Sequence, residues 1–201
     1  KDRQRLVSVW SVFAQDYINL LTWSPSGQLL ACASADGGVA VYAGNDGRLL
    51  WRYCAHGLGT TALAWSPDGQ RLASGGQDDN IVVWEPVTGE QFGCWKAGRG
   101  WVEKLAWSPN GLLASIAGTE PKLWDAMGSL QQTFEPADST LTGLEWMPDG
   151  SLLTSCYGQV SRWRPGKMEP VRNYLWKGSL LSLSVSPDGK WITAGSQEGI
   201  V

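Results

Sequence analysis

A short turn sequence recurs five times and constrains the fold of this chain more than any other feature. The copies are WSPSG from Trp23, WSPDG from Trp65, WSPNG from Trp107, WMPDG from Trp146 and VSPDG from Val185, which stand 42, 42, 39 and 39 residues apart. Proline presets φ for a turn, Asp, Asn or Ser bonds to the nearby backbone, and glycine accepts a positive φ. Each copy therefore predicts a tight reversal between two strands.

Apolar runs flank each turn, and two further strands follow. INLLTW precedes the first turn, LLACAS follows it, and GVAVY and RLLWRYC complete the unit; later copies repeat this order. The apolar alternation is short and close to period 2, and a period of 3.6 is sustained nowhere. Four antiparallel strands in about 40 residues, repeated at this interval, are typical of propeller blades. The sequence thus predicts an all-β fold, a β-propeller of four-stranded antiparallel blades with about five repeats.

The stretch LAWSPDGQRLASGGQDDNIVVWEPVTGE resembles the WD-repeat β-propeller family, with Trp-Glu at Trp84 and Trp-Asp at Trp124. The resemblance covers nearly the whole chain, because five copies occur at regular spacing. It implies one WD-repeat domain over residues 1–201, of bacterial type and forming the N-terminal part of a seven-bladed propeller. Seven blades of about 40 residues would need about 280 residues, so the remaining blades are expected on a longer chain or on a second polypeptide. A compact five-bladed closure is the alternative.

The predicted blades cover about residues 14–55, 56–97, 98–136, 137–175 and 176–201, and the last is incomplete. Residues 1–13 include QRLVSVWS, which aligns with the fourth-strand stretches of later copies. In the family such a leading outer strand completes the last blade, which removes exposed sheet edges. We therefore expect an orphan outer strand over residues 1–13.

His56 is the only histidine, and Ser74 and Asp78 follow it, so the residue types of a hydrolase triad are present. A triad also needs an exposed nucleophile and an oxyanion hole, and a serine within a core strand supplies neither. The family resemblance implies a structural tetrad of His56, Ser74, Asp78 and Trp84. In this tetrad the indole N–H, the hydroxyl, the imidazole and the carboxylate form one hydrogen-bonded chain.

The other copies keep only parts of this pattern. The histidine position holds Ala14, Gly98, Ala137 and Trp176, and the serine position holds Cys32, Ser115, Ser155 and Ala194. The aspartate position holds Asp36 and Glu198, and the third-strand aromatic is Tyr42, Trp124 or Trp163. Because the turns and aromatic residues persist where the polar residues are lost, the pattern favours architecture over catalysis. We expect tryptophan packing between blades to hold the other copies together.

The resemblance implies a protein or peptide partner on the surface formed by fourth-to-first-strand loops and second-to-third-strand turns. Transferred by position, the candidate partner-binding residues are Phe13, Tyr17, Asn19, Gln77, Trp101, Glu103, Asp138 and Trp176. Exposed aromatic side chains beside polar groups are enriched in interface hot spots. The leading hypothesis is a non-catalytic protein- or peptide-interaction scaffold. The alternatives are a purely architectural or sensor propeller domain of a larger multidomain protein, and an enzyme.

An enzyme would need converging carboxylates or histidines, whereas the predicted channel carries Lys104 and Glu145 as isolated charges. No GxxxxGK or HExxH motif occurs, so we predict no catalytic residue, no cofactor and no metal. The net charge of −3 gives no basic footprint for nucleic acid. No apolar run reaches the roughly 18 residues of a membrane span, so we predict neither a nucleic-acid nor a membrane partner. The four cysteines form no CxxC pair, which predicts free buried thiols and a cytoplasmic location.

Overall fold

The computed structural model describes residues 8–199, and the regular secondary structure of this part consists of sixteen β-strands. Every strand pair is antiparallel. The strands form four sheets, and each sheet has four strands in simple chain order. The four-stranded antiparallel blades that the repeats predict are therefore confirmed.

Blades 1, 2 and 3 share one design. Blade 1 consists of β1 (Ile18–Trp23), β2 (Leu29–Ser34), β3 (Gly38–Ala43) and β4 (Leu49–Cys54). Blade 2 consists of β5 (Thr60–Trp65), β6 (Leu72–Gly76), β7 (Asn80–Trp84) and β8 (Gln91–Lys96). Blade 3 consists of β9 (Val102–Trp107), β10 (Leu113–Ala117), β11 (Glu120–Trp124) and β12 (Leu130–Thr133). The central strands β6 and β10 are buried at every residue, because they lie between two strands and between two blades.

The fourth sheet is built from β13 (Gly143–Trp146), β14 (Leu152–Trp163), β15 (Arg172–Val185) and β16 (Ile192–Ser196). The indole Nε1 of Trp163 donates to Oγ1 of Thr154 at 2.9 Å. Nine extended residues would span about 30 Å, so β14 must fold back on itself. It does so at Gly158, where φ is +87°, and thereby supplies the second and third strands of blade 4.

Strand β15 also serves two blades. Its first residues pair with the end of β14, as Arg172 does with Arg162. Its last residues pair with β16, as Val185 does with Ile192. Strand β15 is thus the fourth strand of blade 4 and then the first strand of blade 5, and within residues 8–199 blade 5 consists of two inner strands.

The first strands of successive blades contact one another, β1 with β5, β5 with β9 and β9 with β13. They therefore line the inside of an arc, and the fourth strands form its rim. The apolar core lies between blades: one cluster joins Ala62, Ile81 and Val83 of blade 2 to Leu105 and Trp124 of blade 3. The glycines of the repeated turns adopt φ between +69° and +82°, which explains their recurrence: Gly27, Gly69, Gly111, Gly150 and Gly189.

One hydrogen bond recurs between blades. The indole N–H of the tryptophan that opens each turn donates to the carbonyl just before the corresponding tryptophan of the preceding blade. The pairs are Trp65 to Thr22, Trp107 to Ala64 and Trp146 to Ala106, at 3.2, 3.2 and 3.0 Å. These bonds fix the rotation of each blade on its neighbour.

The predicted outer strand over residues 1–13 stays a prediction: residues 8–13 form no strand within the described part of the chain, and residues 1–7 lie outside it. A strand needs a neighbour for its backbone donors and acceptors, and no strand within residues 8–199 pairs with this segment. Trp10 nevertheless occupies an inter-blade position. Its Nε1 donates to the carbonyl of Gly44 at 3.0 Å, as Trp51 of the blade 1 rim donates to Pro86 of blade 2 at 2.8 Å.

Candidate interaction face

The tetrad that the resemblance implies is assembled in blade 2. His56 precedes β5, Ser74 lies on β6, Asp78 lies in the β6–β7 turn and Trp84 ends β7. Trp84 Nε1 donates to Ser74 Oγ at 3.0 Å, and Ser74 Oγ lies 3.0 Å from His56 Nε2. The chain ends with His56 Nδ1 at 2.9 Å from Asp78 Oδ1.

The donors and acceptors of this chain fit a neutral imidazole. Because the Ser74 hydroxyl accepts from Trp84, it can donate to Nε2 of His56, which leaves Nδ1–H to donate to Asp78. Burial lowers the pKa of His56, and the hydrogen bond and charge of Asp78 raise it in part. Burial raises the pKa of Asp78, but hydrogen bonds from Asn80, His56 and the Gly57 amide outweigh this and leave the pKa lowered.

The tetrad is sealed inside the blade. Ser74 is fully buried and His56 is 3% exposed, so neither can meet a substrate. A Cβ atom at Gly76 would lie 2.4 Å from Cγ of His56, which shows how closely the imidazole ring packs on β6. The serine, histidine and aspartate therefore act as a structural lock between the turn and the sheet.

Blades 3 and 4 keep the shortened form of this lock. In blade 3, Trp124 Nε1 donates to Ser115 Oγ at 2.8 Å, at the predicted serine position. In blade 4, the predicted residue Ser155 is wrong, because Trp163 donates to Thr154. Trp146 pairs with Leu152, so the turn is one residue shorter than in blade 2. Thr154 therefore takes the position of the tetrad serine, and Ser155, the next residue along β14, does not.

Blade 1 replaces the lock by an ion pair. Asp36 Oδ1 accepts from the Ser34 hydroxyl at 2.6 Å, and Asp36 Oδ2 accepts from Arg52 at 2.5 Å. The hydrogen bond from Ser34 contributes most to the lowered pKa of Asp36, and Arg52 adds to it. The predicted serine and aromatic positions, Cys32 and Tyr42, are both buried in an apolar cluster with Trp10 packed against it.

The eight candidate face residues are spread over successive blades. Phe13 and Tyr17 precede β1 and are almost fully exposed, and the Tyr17 carbonyl accepts from the Ala35 amide in the β2–β3 turn at 2.8 Å. Asn19 has a structural contact, because its amide donates to the Thr60 carbonyl of blade 2 at 2.9 Å. Blade 1 therefore presents two exposed aromatic rings at this end.

The other candidates lie on blades 2 to 5. The backbone N–H of Gln77 donates to the Gly59 carbonyl at 3.0 Å. Gln77 therefore lies where the β6–β7 turn meets the loop before β5. Trp101 is 51% exposed in the loop before β9, Glu103 follows on β9, and Asp138 is exposed in the loop before β13. Trp176 lines a groove on blade 5 with Leu180, Ile192 and Ala194, and so belongs to that blade's flank.

A cleft opens on blade 3 where its tetrad is missing. It measures about 560 Å³ and is lined by Gly98, Arg99, Ala117, Gly118, Thr119, Glu120 and Lys122. Lys122 Nζ donates to the Ala97 carbonyl at 2.9 Å and lies 3.2 Å from Glu120. Arg99, Glu120 and Lys122 are absent from the predicted set. The sequence feature that could have indicated these three residues is Gly98 at the histidine position. Without an imidazole ring there, space is left above the short β10–β11 turn.

The inner strands bring two opposite charges near each other. Burial raises the pKa of Glu145 on β13, and Lys104 on β9 lowers it in part. Lys104 and Glu145 thus form an isolated pair of opposite charges on the inner strands. Among residues 8–199, no three His, Cys, Asp or Glu side chains stand together in a way that could hold a metal ion.

The structure corrects the expectation that the cysteines are buried. All four are free, but Cys54 and Cys94 are exposed while Cys32 and Cys156 are buried. Cys54 and Cys94 lie on β4 and β8, the rim strands, where one face of the sheet meets solvent. The described residues contain no helix that is long and apolar enough to cross a membrane.

Comparisons with known proteins agree with this architecture. The family of the anaphase-promoting complex subunit 4 WD40 domain matches residues 21–110, and the family of the WD domain, G-beta repeat, matches residues 169–201. A search of curated proteins gave no match.

Solved structures resemble the chain in fold. A chain in the crystal structure of a mitotic checkpoint complex superposes with a TM-score of 0.82 at 22% identity, covering 94% of this chain and 61% of that one. The β-propeller domain of Myceliophteria thermophila Cps50 (Swd1) gives 0.81 at 17% identity, covering 92% and 63%. The chain thus spans less than two thirds of the length of these structures. The fold is that of a β-propeller, and the two repeat matches support its assignment to the WD-repeat type.

Proposed function

We propose that the chain is a non-catalytic scaffold that binds a protein or peptide partner on the face formed by the fourth-to-first-strand loops and the second-to-third-strand turns. The observation that carries this proposal is the open cleft of blade 3 beside the exposed indole of Trp101. The loop from Gly98 to Trp101 borders both features.

The chemistry of the cleft suits a peptide. Arg99 and Lys122 supply donors, Glu120 supplies acceptors, and Trp101 supplies a large apolar surface two residues from Arg99. A buried aromatic anchor surrounded by polar groups is the common composition of a binding hot spot. The tetrad holds the neighbouring turn of blade 2 in place, so the blade 2 side of this face is preorganised.

Selection from a displayed library of random peptides on the immobilised protein tests the proposal. We expect enriched peptides to lose at least about tenfold in affinity for the Trp101→Ala variant, as truncation of an interface tryptophan does. Trp191→Ala is the matched control, because Trp191 is 71% exposed and follows the turn at the opposite end of blade 5.

Both variants change exposed side chains, so thermal unfolding should be close to that of the wild type. If the selection enriches no peptide, or if Trp101→Ala and Trp191→Ala bind the enriched peptides equally well, the proposed face is wrong.

We further propose that this is the N-terminal part of a bacterial seven-bladed propeller, whose remaining blades can be carried by a second polypeptide. The repeat spacing and the partial coverage of solved propellers support this, and the WSPDG turns support the bacterial type. Native mass spectrometry beside denaturing mass spectrometry tests it: a second polypeptide bound to the 21.8 kDa chain supports it, and a lone chain contradicts it.

The proposed setting is cytoplasmic, without a nucleic-acid or membrane partner. Four free thiols support a reducing compartment, and the net charge of −3 supports the absence of an electrostatic nucleic-acid site. Thiol labelling of the protein in extracts made without reductant tests the compartment, since Cys54 and Cys94 are accessible.

A further inference from the structure

A pocket of about 340 Å³ opens between blades 2 and 3. Its lining includes Ser66, Asp68 and Arg71 of blade 2 and Trp107, Asn110 and Ala126 of blade 3. These residues lie in or beside the turns that join first to second strands and third to fourth strands. Because neighbouring strands of a blade are antiparallel, those turns lie at the opposite end of the blades from the loop that carries Trp101. The pocket is therefore separate from the cleft of blade 3.

The pocket opens where blade 2 lacks the rim tryptophan of blade 1. Trp51 is buried between its own blade and the next, and it donates to the Pro86 carbonyl at 2.8 Å. Gly93 holds the same place in the strand pairing of blade 2. A Cβ at Gly93 would lie 3.8 Å from the Met127 carbonyl oxygen of blade 3. Because Gly93 has no side chain, space remains beside the turn that contains Ala126 and Met127.

Arg71 is the positively charged residue of this pocket. Its guanidinium group lies over the ring of Phe92, 4.6 Å from the ring centroid, and this contact fixes the group at the pocket wall. Its Nη1 atom is buried, yet it has no hydrogen-bond partner within residues 8–199. A buried donor without an acceptor is costly, and a guanidinium group binds a carboxylate through two parallel hydrogen bonds. Arg71 can therefore bind an acceptor that the described part of the chain does not supply.

The carboxylates close to Arg71 are bound to other groups. Asp68 accepts from the Ser66 hydroxyl at 2.6 Å and from the Gln70 amide at 3.0 Å. The hydrogen bond from Ser66 contributes most to the lowered pKa of Asp68, and the charge of Arg71 contributes least. Glu85 follows the residue that pairs with Leu72, but its carboxylate accepts from two amides of its own turn. None of the ion pairs of the described residues includes Arg71.

Two departures from the repeat meet in this pocket. The Arg71 amide donates to Ser66 Oγ at 3.0 Å, and at the same position of blade 3 the Leu112 amide donates to Ser108 Oγ at 2.9 Å. The turn thus forms with leucine as well as with arginine, so it does not require the charge. Asn110 stands where three other blades have an aspartate: Asp68, Asp149 and Asp188. Asn110 therefore keeps one carboxylate out of the pocket and offers N–H donors instead.

We propose that this pocket binds an acidic side chain of a partner polypeptide, with the Arg71 guanidinium group on the carboxylate and the Asn110 amide as a second donor. Met127, which is 65% exposed, and Phe92, which is 38% exposed, offer apolar contacts to a neighbouring residue of the same segment. This surface goes beyond the scaffold proposal, because it lies at the other end of the blades and does not use Trp101. The propeller would then hold two polypeptide segments at once.

Selection from two displayed peptide libraries tests the pocket. One library has a fixed central glutamate and the other a fixed central glutamine, and the remaining positions are random but exclude acidic residues. The immobilised protein is the Trp101→Ala variant, in which the other face has lost its aromatic anchor. We expect enrichment from the glutamate library alone. Adding Arg71→Leu should weaken binding of the enriched peptides by at least about tenfold, because the carboxylate loses its charged partner.

Arg99→Leu is the matched control, since it removes the same charge from the cleft of blade 3 and should leave this binding unchanged. Arg71→Leu should keep the fold, because leucine occupies the same position in blades 1 and 3, as Leu29 and Leu112. Thermal unfolding checks this. If Arg71→Leu unfolds, Asn110→Asp replaces it: this exposed position then carries a carboxylate, which should repel the acidic peptide and weaken its binding.

Three results would overturn the inference: equal enrichment from the two libraries, no enrichment from either, or enriched peptides that bind equally well with and without the change at Arg71 or Asn110. Glutarate alone serves as a small dicarboxylate probe. If glutarate binds as tightly as the peptides and displaces them, the pocket is a site for a small carboxylate and the polypeptide partner is wrong. Selection on the face that carries Trp101 is a separate measurement, so failure of the scaffold proposal can be told apart from failure of this one.

Discussion

At the scale of single residues, the buried hydroxyl on the second strand of a blade determines how its polar groups are paired. Ser74 of blade 2 serves both Trp84 and His56, whereas Ser115 of blade 3 serves Trp124. A buried donor that loses its partner costs more than the bond contributes. The two serines therefore differ in the number of groups that depend on them.

Replacing Ser74 by alanine should destabilise the protein by about 1–3 kcal/mol, because the Trp84 indole and His56 both lose a partner. Ser115→Ala is the matched control and should cost less, since one indole is affected. Urea unfolding of both variants measures the difference. Equal losses for the two variants would show that the histidine and aspartate add nothing to the lock.

The lowered pKa of His56 makes stability depend on pH. Unfolded histidine takes up a proton below its ordinary value of 6.5, whereas the buried imidazole resists it. The stabilisation is therefore complete above pH 6.5 and falls with decreasing pH below it, by at most about 1.4 kcal/mol per pH unit for one proton. The lowered pKa of Asp78 also contributes to stability. This contribution is present throughout the same pH range and is lost only in stronger acid.

Unfolding free energies of the wild type and of His56→Gln, compared between about pH 5 and pH 7, measure this dependence. His56 is the only histidine, so the difference between the two profiles isolates it. The raised pKa of Glu145 stabilises the fold as pH falls, and it acts equally in both proteins. Parallel profiles would rule out a neutral, proton-resistant His56.

At the scale of the strands, glycine decides how closely two elements approach. Gly76 on β6 faces the His56 ring, and a Cβ there would lie 2.4 Å from Cγ of His56. Gly57, in the loop beside His56, would place a Cβ in open space. The two positions therefore separate the effect of close packing from the general effect of glycine on chain entropy.

Gly76→Ala should destabilise blade 2 by about 1–3 kcal/mol, the usual cost of overpacking a core. Gly57→Ala should be close to neutral. Thermal unfolding of the two variants provides the measurement, and near-UV circular dichroism reports whether the Trp84 environment changes. A neutral Gly76→Ala would mean that His56 can move without loss of the lock.

At the scale of the whole molecule, stability should vary from blade to blade. In repeat architectures it is approximately a sum of unit and nearest-neighbour terms. Strands β6 and β10 are buried at every residue, because each lies in a blade with neighbours on both sides. Strand β16 has intermediate or exposed residues throughout, and its blade has one described neighbour.

Hydrogen exchange at low protein concentration should therefore show the slowest amides in β6 and β10 and the fastest strand amides in β16. Mass spectrometry of peptic fragments resolves these strands. Uniform protection across all blades would contradict the nearest-neighbour account.

Much of this architecture could be predicted from the sequence because its determinants are local. A turn of five residues with a required positive φ, and apolar alternation on either side, define strands and their order without reference to distant parts. The tetrad of His56, Ser74, Asp78 and Trp84 could also be predicted, because the resemblance to the WD-repeat family implies it.

Other features were decided only by the tertiary structure. The partner of Trp163 is Thr154 because the pairing of Trp146 with Leu152 shortens the turn, and a one-residue shift moves every side chain to the other face. The cleft brings Lys122 to the Ala97 carbonyl, 25 residues away, and the indole bonds join residues 40 to 43 apart in neighbouring blades. Their geometry follows from how blades pack on one another, which a local pattern does not contain.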